Sequence, residues 1–152
     1  MKKLFVFASA ALLLAGCGSS NEVKKETKTC SIEESGLSMA VKMDAEDDII
    51  KNFEFSMVLP STMTGMDAST LSEEALNAAG EAGLSNMGLE EGTEGVTTKV
   101  SAKEKDLQVT VNIDLNKIDE EVLKKMDLPV ESKNAKLSEV VKDAEASEFT
   151  CK

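Results

Sequence analysis

Leu107, Val109, Val111, Ile113 and Leu115 fall on every second position, separated by Gln108, Thr110, Asn112 and Asp114. Side chains along an extended strand point alternately to opposite faces, so this spacing buries one face and wets the other. It cannot build the apolar stripe of a helix. The pattern recurs where Leu37, Met39, Val41 and Met43 alternate with Ser38, Ala40 and Lys42, and where Phe53, Phe55, Met57 and Leu59 alternate with Asn52, Glu54, Ser56 and Val58. A first strand near Lys28 to Glu33, one at Thr97 to Lys103 and a short last one at Phe149 to Cys151 complete the set. Turns are expected at Glu34-Ser35-Gly36, Ala45 to Asp48 and Glu104 to Asp106. Alternation of this kind predicts an antiparallel sheet covered on one side only.

The cover is supplied by helices. Thr70 and Glu73 have the spacing of a capping box, and after them Leu71, Ala75, Leu76, Ala79, Gly83, Leu84 and Met87 trace a stripe rich in small residues. Ile118, Val122, Leu123 and Met126 predict a short second helix that stops before Pro129. Leu137, Val140, Val141 and Ala144 follow the i, i+3, i+4, i+7 spacing of a third. The order of elements predicts an α+β fold: a two-layer sandwich, mainly antiparallel sheet, with helices packed on one face.

The N-terminus reads as an address. Lys2 and Lys3 precede the apolar run Leu4 to Leu14, and Leu14-Ala15-Gly16-Cys17 looks like a bacterial lipobox. The run is too short to span a bilayer about 30 Å thick at about 1.5 Å per helical residue. The expectation is therefore a lipoprotein signal peptide over 1–16, whose cleavage leaves Cys17 as a lipidated N-terminus. Two or three acyl chains hold a protein to a membrane durably where one holds it marginally. Gly18 to Lys28 lacks apolar periodicity, so 17–28 is expected to be the lipidated cysteine and a flexible tether, followed by a single domain over 29–152.

The first hairpin turning at Gly36, the lipobox, and Gly95-Val96 leading into a unit that ends Val111-Asn112-Ile113-Asp114 together resemble the YehR family of bacterial lipoproteins. Lys99, the alternation from Val109 to Ile113, Asp114 and the amphipathic C-terminal helix carry the resemblance further. The family is a domain of unknown function, so the resemblance implies a lipoprotein fold and no chemistry. This chain differs in having no tyrosine and in carrying two cysteines outside the lipobox.

Composition excludes several chemistries. With no histidine, the commonest general base and the commonest zinc and copper ligand are both missing, and Ser-His-Asp or Cys-His catalysis is unavailable. There is no Gly-x-Ser-x-Gly elbow, no Ser-x-x-Lys pair in a strand-to-helix turn and no phosphate-cradling glycine loop. A carboxylate-only glycosidase would usually line its cleft with aromatics, and of the five Phe, Phe5 and Phe7 fall in the signal. The reading is a protein that is not an enzyme, with no catalytic residues, no cofactor and no metal site. A net charge of −11, made more negative by removing Lys2 and Lys3, argues against nucleic acid and against docking on anionic lipid.

Three segments carry side chains that could in principle hold a metal ion. Asp44-Ala45-Glu46-Asp47-Asp48 could gather oxygens around Ca²⁺, but it lacks the EF-hand glycine and terminal glutamate and reads better as a solvated hairpin. Glu90 to Glu94 is a weaker version of the same. Met63 and Met66 carry thioethers of the kind that bind Cu(I), yet no other soft ligand lies near in sequence, and loop packing is the plainer account. Ser38, Lys42, Asn52, Glu54, Ser56, Thr97, Lys99, Ser101, Gln108, Thr110, Asn112 and Asp114 should share the sheet face away from the helices. That face either binds a partner or is simply solvated.

With Cys17 lipidated, Cys30 and Cys151 remain, at opposite ends of the domain, in a compartment where disulfides persist. An intramolecular bridge requires the first and last strands to lie side by side, with Cα atoms about 4.4 to 6.8 Å apart. Free buried thiols, an intermolecular bridge and a redox pair stand as alternatives, the last without any Cys-x-x-Cys motif to support it. The functional reading is a monomeric, membrane-anchored extracytoplasmic lipoprotein, on the cell membrane or on an outer membrane where one exists. Its domain is a non-catalytic binding or interaction module. The alternative is a structural or accessory lipoprotein of a membrane complex, with an envelope protein as partner and no small-molecule ligand.

Overall fold

The computed structural model describes residues 22–86, 89, 92–126 and 133–152. Among the described residues, six strands form one sheet: β1 (Lys25–Glu34), β2 (Leu37–Glu46), β3 (Ile49–Leu59), β4 (Val96–Lys103), β5 (Asp106–Asp114) and β6 (Thr150–Cys151). They lie in the order β4-β5-β3-β2-β1-β6, and every pairing is antiparallel. The helices are α1 (Ser61–Thr64), α2 (Glu73–Asn86), α3 (Glu120–Lys125) and α4 (Leu137–Ala146). This is the α+β architecture that the alternation predicts. The segment expected to be a signal peptide with its lipobox and Cys17, and Pro129, fall outside the described residues.

Registration across the sheet turns the alternation into a core. Thr98, Val111, Phe55, Val41, Cys30 and Cys151 are successive cross-strand partners from one edge to the other. Val96, Ile113, Phe53, Met43 and Lys28 form the neighbouring row. Met43, Ile113 and Ile50 are fully buried and Phe53 nearly so, packed with Leu115, Ile118, Leu123, Leu137 and Val140 from the segments that cover the sheet.

Four details depart from the sequence reading. β1 starts at Lys25, so the tether expected to reach Lys28 gives way to strand earlier. Its first residues are polar because backbone pairing carries them, Lys25 opposite Glu46 and Lys28 opposite Met43, and not burial. β2 runs through Glu46, leaving Asp47 and Asp48 alone as the turn, with φ of 50° and 66°. A two-residue hairpin turn needs positive φ at both positions, which Asp tolerates better than most residues. A bulge at Asp44/Ala45 then shifts register, so Ile50 and Phe53, three apart, both reach the core. Finally, α2 is capped by Ser72, whose Oγ accepts from the Ala75 amide at 3.2 Å. Thr70 closes a short 3-10 turn instead, donating to the Asp67 carbonyl at 2.7 Å.

Gly95 fixes where β4 begins. Its φ is +81°, and a Cβ there would sit 2.6 Å from the Ile118 amide nitrogen and 2.9 Å from the Asp114 carbonyl. The Gly95 carbonyl also accepts from the Asp114 amide at 2.7 Å. Replacing Gly95 by Ala adds left-handed strain to a backbone overlap that no rotamer relieves, and should cost about 3 kcal/mol. Denaturant midpoints of the two proteins check this; an unchanged midpoint would contradict it.

Candidate functional site

The wet face of the sheet is as the alternation places it. Thr97, Asn112, Glu54, Lys42 and Thr29 are successive partners across five strands, as are Lys99, Thr110, Ser56, Ala40 and Ser31. Gln108 Nε2 donates to Ser56 Oγ at 3.3 Å across β3 and β5. Burial would push the Asp114 carboxyl up, but hydrogen bonds from Lys117 and Asn116 outweigh it and hold that carboxyl below the usual range. The surface is broad and polar, with no aromatic anchor of the kind that concentrates binding energy.

The acidic run 44–48 does not converge. Asp44 accepts from Thr27 Oγ1 at 2.6 Å, Glu46 pairs with Lys25 at 3.3 Å, and Asp47 accepts from the Lys24 amide at 2.9 Å. Asp48 turns to the N-terminus of α4: Oδ1 accepts from the Ser138 amide at 2.9 Å, Oδ2 from Ser138 Oγ at 2.7 Å, and its carbonyl from the Leu137 amide at 2.8 Å. The carboxylates that looked like candidate cation ligands are instead joints of the fold. Among the described residues, no group of three or more acids or cysteines is placed to hold a metal ion. Glu90 and Glu91 lie outside them. Met63 and Met66 are solvent-exposed.

The hydrogen bonds from Ser138 hold the Asp48 carboxyl below its ordinary value. A carboxylate depressed in the folded state contributes stability above its unfolded pKa, near 3.9, and loses it as pH falls through the folded value. Replacing Asp48 by Asn should therefore lower the thermal midpoint at neutral pH and flatten its fall below about pH 4. Melting curves across that range test this; parallel pH profiles for the two proteins would contradict it.

Cys30 and Cys151 are bonded, with S–S 2.01 Å and Cα–Cα 4.0 Å. Next to them Thr29 and Lys152 exchange both backbone hydrogen bonds, at 3.0 and 2.9 Å. The cysteines thus occupy the adjacent non-hydrogen-bonded pair, where opposed Cα atoms come closest, which accounts for a separation below the expected 4.4 to 6.8 Å. Cys30 is fully buried.

One feature was not anticipated from sequence. Between α2 and the edge strand β4 lies a cavity of about 250 Å³, lined by Asn77, Gly80, Glu81 and Leu84 from the helix and by Val96, Thr98 and Val100 from the strand, with Gly92 at one end. Thr98 Oγ1 is buried without a hydrogen-bond partner among the described residues. The signal was present in part: 77, 80, 81 and 84 share one helical face, and Thr98 is the polar member of an otherwise apolar inward row. The pairing of that face with β4 was not legible.

No known family profile matches the chain, and no curated protein is detectably similar to it. Two structures determined by NMR share its fold. Escherichia coli YehR superposes with a TM-score of 0.64 at 18% identity, covering 86% of this chain and 92% of that one. A protein from Streptococcus pneumoniae TIGR4 superposes with a TM-score of 0.57 at 15% identity, covering 100% of this chain and 98% of that one. At these identities the likeness establishes a YehR-like fold.

Proposed function

We propose that this chain is a lipoprotein, anchored through Cys17 to the extracytoplasmic face of a membrane, whose domain is a non-catalytic binding or interaction module. The observation that carries the reading is how the three cysteines are used. Two close the domain on itself, a use suited to an oxidising compartment, and the third is left in the lipobox. The YehR-like fold is consistent with it. So is the start of β1 at Lys25, eight positions after Cys17 in sequence. A protein partner in the envelope is the expected ligand of the polar sheet face.

Purification of the anchored protein under gentle detergent, after crosslinking, tests the module reading. A partner that is lost when Lys99, Thr110 and Glu54 are replaced by Ala supports it. Recovery of the domain free of any partner, with no ligand that raises its melting temperature in a concentration-dependent way, would contradict it. A membrane complex that holds the protein regardless of those substitutions would favour the accessory-lipoprotein alternative.

A further inference from the structure

We propose that the cavity between α2 and β4 binds a small organic ammonium compound, a short linear amine or diamine. This rests on the reading of the domain as a binding module and names the ligand class of a second site on it. Leu84, Val96 and Val100 give the lining apolar surface that can hold a short hydrocarbon segment. The polar groups in the described lining are the Glu81 carboxylate, which only accepts and carries the negative charge, and the Asn77 amide and the unpartnered Thr98 hydroxyl, each able to accept from a donor. Among the described residues, no lysine contributes to the lining. An isolated buried hydroxyl loses the hydrogen bonds it had in water, so a ligand that supplies a donor recovers them.

The approach has the same sign. Glu73 and Glu74, in the first turn of α2, share a shallow surface depression with Asn77 and Glu81, so acidic groups lead to the mouth of the cavity. A cation is drawn to this surface and an anion repelled from it. A bare divalent ion is a poorer fit than an ammonium compound. It wants several carboxylates at once, whereas the described lining offers one beside hydrocarbon. Gly80 sets the depth of the site: a Cβ there would lie 2.9 Å from Val100 Cγ2, so the helix approaches the strand closely at that point and the space opens toward Leu84 and Val96.

Methyl chemical shifts of Thr98 and Val100, followed in the isotope-labelled full chain in detergent while putrescine is added, test the proposal. The expected result is saturable movement of both signals, little response to butanol or butyrate, and at least about tenfold weaker binding in Glu81→Gln, the loss of one charge-assisted hydrogen bond. Thr98→Val, which keeps the shape of the side chain, should leave the fold intact and also weaken binding. The proposal is overturned if putrescine gives no saturable shift, if butanol serves equally well, if Glu81→Gln binds unchanged, or if Thr98 contacts only a resident water that putrescine does not displace. Crosslinked partners are read separately at the sheet face, so an unmoved putrescine titration beside a captured partner overturns this proposal alone, whereas finding neither a partner nor a stabilising ligand overturns the module reading and this proposal together.

Discussion

Reduction of the Cys30–Cys151 bridge, or its replacement in a Cys30→Ala/Cys151→Ala variant, should lower the unfolding free energy by about 4 to 5 kcal/mol. The bond joins positions 121 apart in sequence, and closing so long a loop removes a large share of the unfolded chain's freedom, with native strain able to subtract from the figure. For a domain of this size the loss corresponds to a fall in melting temperature on the order of 15 °C. The loss should have a location as well as a size. β6 is two residues long and pairs only with Cys30 and Ser31, so without the covalent link it frays, and α4 loses a neighbour at its C-terminal end. Calorimetry with and without reductant, paired with hydrogen exchange at Thr29 and Lys152, checks both parts. A melting temperature that hardly moves would refute the claim that the bridge holds the domain closed.

Phe53→Ala should cost about 3 to 5 kcal/mol, the range for deleting a large aromatic side chain from a tight core. Phe53 is 1% exposed and stands between Met43 and Ile113, both fully buried, at the centre of the inner face. Phe55 is the internal control. It lies one step along the same face but is only partly buried, so Phe55→Ala should cost roughly half as much. Urea midpoints for the two variants separate the cases, and equal losses would mean that the core is not centred on Phe53.

The sheet, α2, α3, α4 and the pairing of the two cysteines were legible because each rests on local periodicity or on a count, whereas α1, a single turn after Pro60, falls where a loop was expected. Period-two alternation marks β2, β3 and β5, and the spacing from Leu137 to Ala144 marks α4. What was not legible depends on partners distant in sequence. The polar start of β1 is a strand only because β2 pairs with it. Asp48 reads as one of several clustered acids until Ser138, ninety positions away, is seen to donate to it twice. The bulge at Asp44/Ala45, which brings Ile50 into the core, leaves no mark on composition. The cavity beside Gly80 needs two elements to be placed before it exists. Of the candidate sites, the bridge at Cys30 and Cys151 is formed, the acidic run 44–48 is given over to structure, and the methionines at 63 and 66 stand exposed.

The claim on which the rest depends is that the mature chain begins at a lipidated Cys17. Mass spectrometry of the protein extracted from membranes, intact and after digestion, measures this directly. The account predicts an N-terminal peptide that starts at Cys17 and carries the added mass of a diacylglyceryl group, with Cys17→Ser lost from the membrane fraction. A mature protein that begins at another residue, or an unmodified Cys17 in protein still firmly bound to the membrane, would contradict it.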